Sequence, residues 1–284
     1  YASVEDLIAD VDAVDIVTPT LSHYDMAVLA LKKGKHLFIE KPLTRNLEEA
    51  EDLLQLTAEA GVKVQVGHIE RFNPALLAAQ QHELKPLFIE AHRLATFNPR
   101  GTDVAVIYDL MIHDLDIVLS LVASPIKRIS ASGVSVISET PDIANARIEF
   151  HNGTVANLTS SRISLKQMRK MRMFQQNAYI SVDFLDKKTE VFNLLDQPSQ
   201  DKPEQEIELE TGDNKPNKYI IFDQPTVEEH NALQNELRAF ANSILNNTEP
   251  PVTVEDGYYA LDIADRITWH IQKNNLAEAI NSES

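Results

Sequence analysis

The chain has 284 residues, of which 43% are hydrophobic, and carries a formal net charge of −17. That charge argues against binding nucleic acid or an anionic membrane through bulk electrostatics, and no run is long enough to cross a bilayer as a helix. There is no cysteine, which excludes a disulfide framework and thiol catalysis and fits a cytoplasmic protein, and the length suits two domains.

Strand and helix signals alternate through the first eighty residues. Ala13 to Thr18 reads as a strand, Pro19 and Thr20 as a turn, and Ser22 as an N-cap for a helix that carries His23 and stops at Gly34. His36 to Ile39 is the second strand and runs into Glu40-Lys41-Pro42. A helix over Asn46 to Ala60 follows, stopped by Gly61, and then a third strand, Val62 to Val66, ending in Gly67-His68. This alternation predicts a doubly wound parallel sheet. In such a sheet the carboxyl ends of the strands face the ligand crevice, which is where Glu40 and Lys41 fall, and Pro42 holds Lys41 out of the α region. A solvated turn is the competing reading of the same residues.

The segment Glu70 to Pro74 leads into a helix around Ala75 to Gln81, and a longer helix is predicted over Val104 to Val122. At 100° per residue, Asp109, His113, Asp116 and Ser120 fall within an arc of about 60° on this second helix, and most of the remaining surface is apolar. Short polar groups on an otherwise buried helix need specific partners, which either a cleft or a buried network supplies. Asp109 and His113 are spaced i, i+4, so the carboxylate can orient the imidazole. Neither a third spaced ligand nor a cysteine stands out beside them, so no metal is expected.

Beyond Ser124 the pattern becomes β-rich. Strands are expected over Ile126 to Val136, Ile143 to Phe150, Thr154 to Ser161, Met168 to Phe174 and Ala178 to Phe184. His151-Asn152-Gly153 is a hairpin signal in which Asn-Gly supplies positive φ. Asp196 to Lys218 reads as an excursion with at most one short strand, Glu206 to Glu210, and two helices, Val227 to Leu245 and Val254 to Gln272, close the chain.

Thr18-Pro19 with His23, Glu40-Lys41-Pro42, Gly67-His68 and Arg71-Phe72-Asn73-Pro74 together resemble the glucose-fructose oxidoreductase / inositol dehydrogenase / MocA (Gfo/Idh/MocA) family. Asp109-Leu-Met-Ile-His113 matches that family's Asp-x-x-x-His segment. The resemblance implies a partial Rossmann domain over residues 1–68. It implies an α+β domain with an open, largely antiparallel sheet over 69–284, whose C-terminal helix packs back on the first domain. The implied activity is an NAD- or NADP-dependent oxidoreductase acting on a sugar or sugar nucleotide, with Lys41, Asp109 and His113 catalytic. Thr18, Pro19, His23, Glu40 and Lys41 would meet the cofactor, and His68, Glu70, Arg71, Asn73, Asp109 and His113 the substrate. The family's Lys-Pro bond is often cis, and the outer face of its sheet makes the subunit contact, so a homodimer or homotetramer is expected.

Gly67 to Pro74 is similar to the branch that oxidises the 3-hydroxyl of UDP-N-acetylglucosamine. Arg71, Arg93 and Arg100 are candidates to meet a diphosphate, and pairing with some of the 43 acidic residues is the equal alternative. The family's Gly-x-Gly-x-x-Gly turn does not occur in the sequence, which reads as a chain lacking about two upstream βα units of roughly 30 residues each. The strand at Ala13 would then have an open apolar edge. Whether Lys41 or His113 accepts the proton stays open. Two other classes also fit: an NAD-dependent glycoside hydrolase of the same fold, and a catalytically idle fragment that only oligomerises.

Overall fold

The computed structural model describes residues 1–99, 104–199, 206–212, 215–228 and 230–282, with side chains to residue 274. Helix α1 (Val4–Asp10) leads into three strands, β1 (Ala13–Ile16), β2 (His36–Glu40) and β3 (Val64–Gly67). These are joined by α2 (His23–Leu31) and α3 (Leu47–Ala60) and pair in parallel in the order β1-β2-β3, with β1 at an edge. The caps follow from local chemistry. Ser3 Oγ accepts from the Asp6 N–H at 3.1 Å, and Asn46 Oδ1 accepts from the Glu49 N–H at 2.9 Å. Ser22 makes no side-chain cap; a 3₁₀ turn over Thr20–Ser22 starts α2 instead. Strand β1 ends two residues before the predicted Thr18, whose carbonyl faces the His23 ring rather than a neighbouring strand.

The second sheet has nine strands: β4 (Phe88–Leu94), β5 (Ile126–Val134), β6 (Ile143–Phe150), β7 (Val155–Ser161), β8 (Met168–Gln175), β9 (Ala178–Asp183), β10 (Lys188–Leu195), β11 (Glu206–Leu209) and β12 (Lys218–Asp223). Their order is β11-β12-β10-β9-β8-β4-β7-β6-β5, and every pairing is antiparallel except β4 with β7. Strands β4, β10 and β12 are not among the predicted ones. In β4 the buried residues alternate as in any half-buried strand, but one of them is Arg93, which breaks the hydrophobic pattern a reader of sequence looks for. The hairpin at 151–154 forms as predicted, by a different device. Only Gly153 has a left-handed φ, +89°, whereas Asn152 contributes its side chain, Oδ1 accepting from the Thr154 N–H at 3.0 Å.

Helices α4 (Pro74–Ala79), α5 (Ile112–Leu121) and α7 (Val254–Ser282) cover one face of this sheet. The core there includes Ile89, Ala91, Leu115, Val118, Met171, Met173, Ile180, Val191, Ile263 and Ile267. The other face carries a row of rings across five neighbouring strands: Phe88, Phe174, Tyr179, Phe192 and Phe222, with successive centroids 6.0, 4.9, 5.5 and 4.9 Å apart. Helix α7 also reaches the first sheet. A Cβ at Gly257 would lie 2.7 Å from Val66 Cγ2, so only glycine permits that approach, and further along the same helix Ile271 presses on Gly133 of β5. No helix among the described residues is long and apolar enough to cross a membrane.

Leu37, Ile39, Val64 and Val66 pack with α2, α3 and the start of α7, while the opposite face of the first sheet is covered by α6 (Ala232–Leu245). This helix begins at Ala232, five residues after the predicted start at Val227, and is capped by Asn231, whose Oδ1 accepts from the Gln234 N–H at 3.2 Å. Phe240 meets Phe38 edge-on at 5.9 Å, and Gln65 Nε2 donates to the Glu236 carbonyl at 3.2 Å. The Glu236 carboxyl is fully buried with neither oxygen hydrogen-bonded. Burial above all, then the charges of Glu40, Asp116 and Asp15, push its pKa up from 4.5 to about 8.

An acid whose pKa is higher folded than unfolded favours the fold fully below the unfolded value, and that contribution is lost as pH rises toward the folded value. Between about pH 5 and pH 8, therefore, the thermal midpoint of the native protein should fall more steeply than that of Glu236→Gln, which keeps the shape and cannot ionise. Parallel midpoints across that range would contradict the buried neutral carboxyl.

Candidate active site

Lys41 and Pro42 leave the carboxyl end of β2 through a cis peptide bond, as the resemblance implied. The turn is braced from below by His23, which is 1% exposed. Its Nε2 lies 2.9 Å from the Thr18 carbonyl and its Nδ1 3.0 Å from the Pro42 carbonyl, so one ring ties the loop after β1 to the loop after β2. Pro19 opens the intervening turn, its carbonyl accepting from the Ser22 N–H at 2.9 Å. Glu40 turns back on the same peptide, its Oε2 accepting from the Lys41 N–H at 3.3 Å. Gly67, opposite Glu40 in the sheet, makes room for that carboxylate, because a Cβ there would lie 2.9 Å from Oε2. Burial pushes the Glu40 carboxyl up, and the Lys41 N–H and ammonium pull against that rise.

The Lys41 ammonium crosses to the other sheet's helix layer. Nζ donates to the Asp109 carbonyl at 2.8 Å and lies 3.5 Å from Asp109 Oδ1. Asp109 sits in a π-turn, Ile107–Met111, directly before α5, in place of the single regular helix the sequence predicts. A wide turn of this kind opens the regular i to i+4 ladder, and the Asp109 carbonyl accepts from Lys41. The predicted contact between Asp109 and His113 is absent; the carboxylate faces Lys41, and His113 Nδ1 is buried without a partner. Burial lowers the lysine pKa first of all, with Asp109 and Glu40 acting against the fall.

Two imidazoles stand beside this pair. His68 is 1% exposed and neither ring nitrogen has a partner. Burial lowers its pKa, and it lowers that of His113 well below 6.5, where Lys41, Arg93, His68 and Arg169 add to the effect. The uncharged form of both rings is therefore the favoured one.

The other candidates belong to buried ion pairs beneath the site. Arg71 donates to both oxygens of Asp116 at 2.7 Å and lies 3.5 Å from Asp256. Arg93 donates to Asp114 and to Glu70, and Glu70 also accepts from Asn73 Nδ2 at 2.9 Å. Asn73 caps α4 through Oδ1 and donates to the Phe184 carbonyl at 3.1 Å. For Arg71 and Arg93 the pairing alternative is the one that holds, and Arg100 lies outside the described residues. The polar seam resolves likewise, with Asp116 paired to Arg71 and Ser120 Oγ donating to the Ile117 carbonyl at 2.7 Å. Of the six substrate candidates, His68, Asp109 and His113 gather around Lys41, whereas Glu70, Arg71 and Asn73 hold the scaffold. Sequence reading missed Asp114 and Glu236, since an acidic residue on a helix ordinarily signals a solvated face. Among the described residues no three His, Cys, Asp or Glu are grouped to hold a metal ion.

Comparison with known proteins agrees with this arrangement. Residues 1–68 match the profile of the "Oxidoreductase family, NAD-binding Rossmann fold", and residues 87–180 that of the "GFO/IDH/MocA C-terminal domain". UDP-N-acetylglucosamine 3-dehydrogenase of Acidithiobacillus ferrooxidans is 43% identical over 194 residues, 68% of this chain and 62% of that enzyme. The scyllo-inositol 2-dehydrogenase (NAD(+)) of Bacillus subtilis is 35% identical over 171 residues, 54% of this chain and 49% of that one. The matched region thus spans less than two thirds of the length of these relatives. The solved structure of the Acidithiobacillus enzyme superposes with a TM-score of 0.85 at 34% identity, covering 96% of this chain and 83% of that one. With its two domain profiles in order and its fold shared along nearly its whole length, the chain belongs to the Gfo/Idh/MocA oxidoreductase family.

Proposed function

We propose that this chain carries the reacting face of an NAD- or NADP-dependent dehydrogenase that moves a hydride between nicotinamide and a secondary hydroxyl of a sugar or sugar nucleotide, with the 3-hydroxyl of UDP-N-acetylglucosamine as the favoured substrate. The observation that carries this reading is the Lys41 ammonium fixed on Asp109 beside the buried His68 ring and the partly buried His113 ring, whose buried nitrogens lack partners. Three orphaned ring nitrogens in one place are what a polar substrate would satisfy. The turns bearing Thr18, Pro19, His23 and Glu40 lie at the carboxyl ends of β1 and β2 and suit a cofactor in the same crevice. Bound nicotinamide supplies the hydride acceptor. The substrate choice leans on the 43% identity to the Acidithiobacillus enzyme.

The residues divide the remaining work. His113, neutral at its buried position, takes the hydroxyl proton as the hydride departs. The Lys41 ammonium donates to the oxygen on which negative charge develops, and Asp109 keeps that ammonium aimed. His68 borders the same space and donates to or accepts from substrate hydroxyls. The partner at the outer sheet face is a second copy of this chain, as a homodimer or within a homotetramer. The five-ring row supplies an apolar, self-complementary stripe for such a contact.

Lys41→Met keeps the side-chain volume and removes the charge, so it should leave the thermal midpoint near native and abolish NADH formation from UDP-N-acetylglucosamine; retained turnover would sink the assignment. Because the His113 pKa is depressed, native kcat should stay level from pH 8 down to 6.5 and decline only well below it. His113→Asn should cost on the order of 10²–10⁴-fold in kcat and remove that acid limb, and a variant that keeps the limb would move the base elsewhere. Phe192→Asp, in the middle of the ring row, should lower the mass seen by light scattering to that of one chain, and a monomeric native protein would dismiss the sheet contact.

A further inference from the structure

Arg93 stands on β4 on the same buried face as Ile89 and Ala91 and is 2% exposed. A guanidinium cannot shed its charge in such surroundings and has to be paired. Its fork divides between two segments of chain. Nε and Nη2 donate to the two oxygens of Asp114 at 3.1 and 2.7 Å, and Nη1 donates to Glu70 Oε1 at 2.7 Å. Asp114 directly follows His113 on α5. Glu70 lies two residues after His68, in the 3₁₀ turn Ile69–Phe72. One side chain therefore bolts the turn that follows His68 to the helix that carries His113. The remaining contacts hold the bolt still: the Phe184 ring lies 5.8 Å from the guanidinium carbon, Asn73 donates to the second Glu70 oxygen, and Arg169 is 3.5 Å from Glu70.

We propose that Arg93 is a positioning residue that, through Asp114 and Glu70, sets the spacing of the His113 and His68 rings about Lys41, and that its buried guanidinium acts on the His113 ring from that place. The use of that ring in hydride transfer rests on the dehydrogenase reading; the coupling between Arg93 and the ring does not. The charged and titratable groups that act on His113 come from four places, Lys41 after β2, His68 after β3, Arg93 on β4 and Arg169 on β8, and each of them lowers its pKa. Arg93 is the member of this set that hydrogen-bonds the residue next to His113, so its loss removes a nearby cation and strips Asp114 of its counter-ion together. Removing the cation favours a protonated imidazole. A lysine at the same place keeps the charge and loses the fork, which separates the electrostatic part of the role from the geometric part.

The test uses the full chain with ¹⁵N-labelled histidine, titrated by NMR without cofactor or substrate, the His113 ring signals being identified by their loss in His113→Asn. In Arg93→Met the His113 midpoint should move up from its native position. In Arg93→Lys the midpoint should stay close to native while kcat for NADH formation falls on the order of 10²-fold at every pH, the scale expected when reacting groups are displaced by about an ångström. A folded Arg93→Met with an unmoved midpoint overturns the proposal. If Arg93→Met does not fold, Arg93→Lys decides, and native kcat with native ring shifts overturns it. Failure of the dehydrogenase reading itself would appear separately, as turnover that survives Lys41→Met or as no hydride transfer by the native protein, with the ring titration still readable.

Discussion

An ammonium group drawn out of water must find oxygen atoms, and the Lys41 chain end finds them on the far side of the interface between the two sheets. That one requirement organises the centre of the molecule. It needs a strand that delivers the lysine at its carboxyl end, a glycine opposite that lets Glu40 fold back, and a helix that opens to offer the Asp109 carbonyl. The ions below follow the same logic. Arg93 is buried and Arg71 half-buried, each against two acidic groups, and these pairs fasten the strand ends to α5 and α7. Burial above all disfavours a proton on both imidazoles; the nearby cations add to this at His113, whereas at His68 Asp116 acts against it.

Much of this was legible in the amino-acid sequence, and the exceptions share a cause. Lys41, Asp109 and His113 could be picked out because short polar or charged residues stood where the surrounding pattern was apolar. The same rule misled at Arg93, where a guanidinium in a core-facing position hid β4, and it says nothing of how Glu70 and Asn73 turn their polar side chains onto other residues of the chain. Glu236 offered no signal, since a glutamate in a helix is expected in water. The π-turn was equally hidden. Its residues have ordinary helical composition, and the wider winding is imposed by packing and by Lys41 rather than by propensity. Strand β12 lies at the end of a polar stretch and finds its place only because β10 and β11 flank it.

The polar residues of this region divide into two populations. One keeps unused hydrogen-bonding capacity, as the His68 and His113 rings do. Groups that hold the scaffold use theirs on one another, as Glu70 does with Arg93 and Asn73. A short motif mixes the two kinds, and only the three-dimensional arrangement sorts them.

The placement of β4 has a bearing on how the molecule is assembled. It lies between β7 and β8, strands that begin 67 and 80 residues later than its own start, with its parallel edge on one and its antiparallel edge on the other. Neither neighbour of β4 exists when a ribosome has completed only the first sheet and α5, so the strand bearing Arg93 must wait with both edges unpaired. Closing such distant pairings is slow compared with making hairpins. The buried arginine, unwelcome in an aggregating strand, would keep that waiting segment in solution until its two partners arrive.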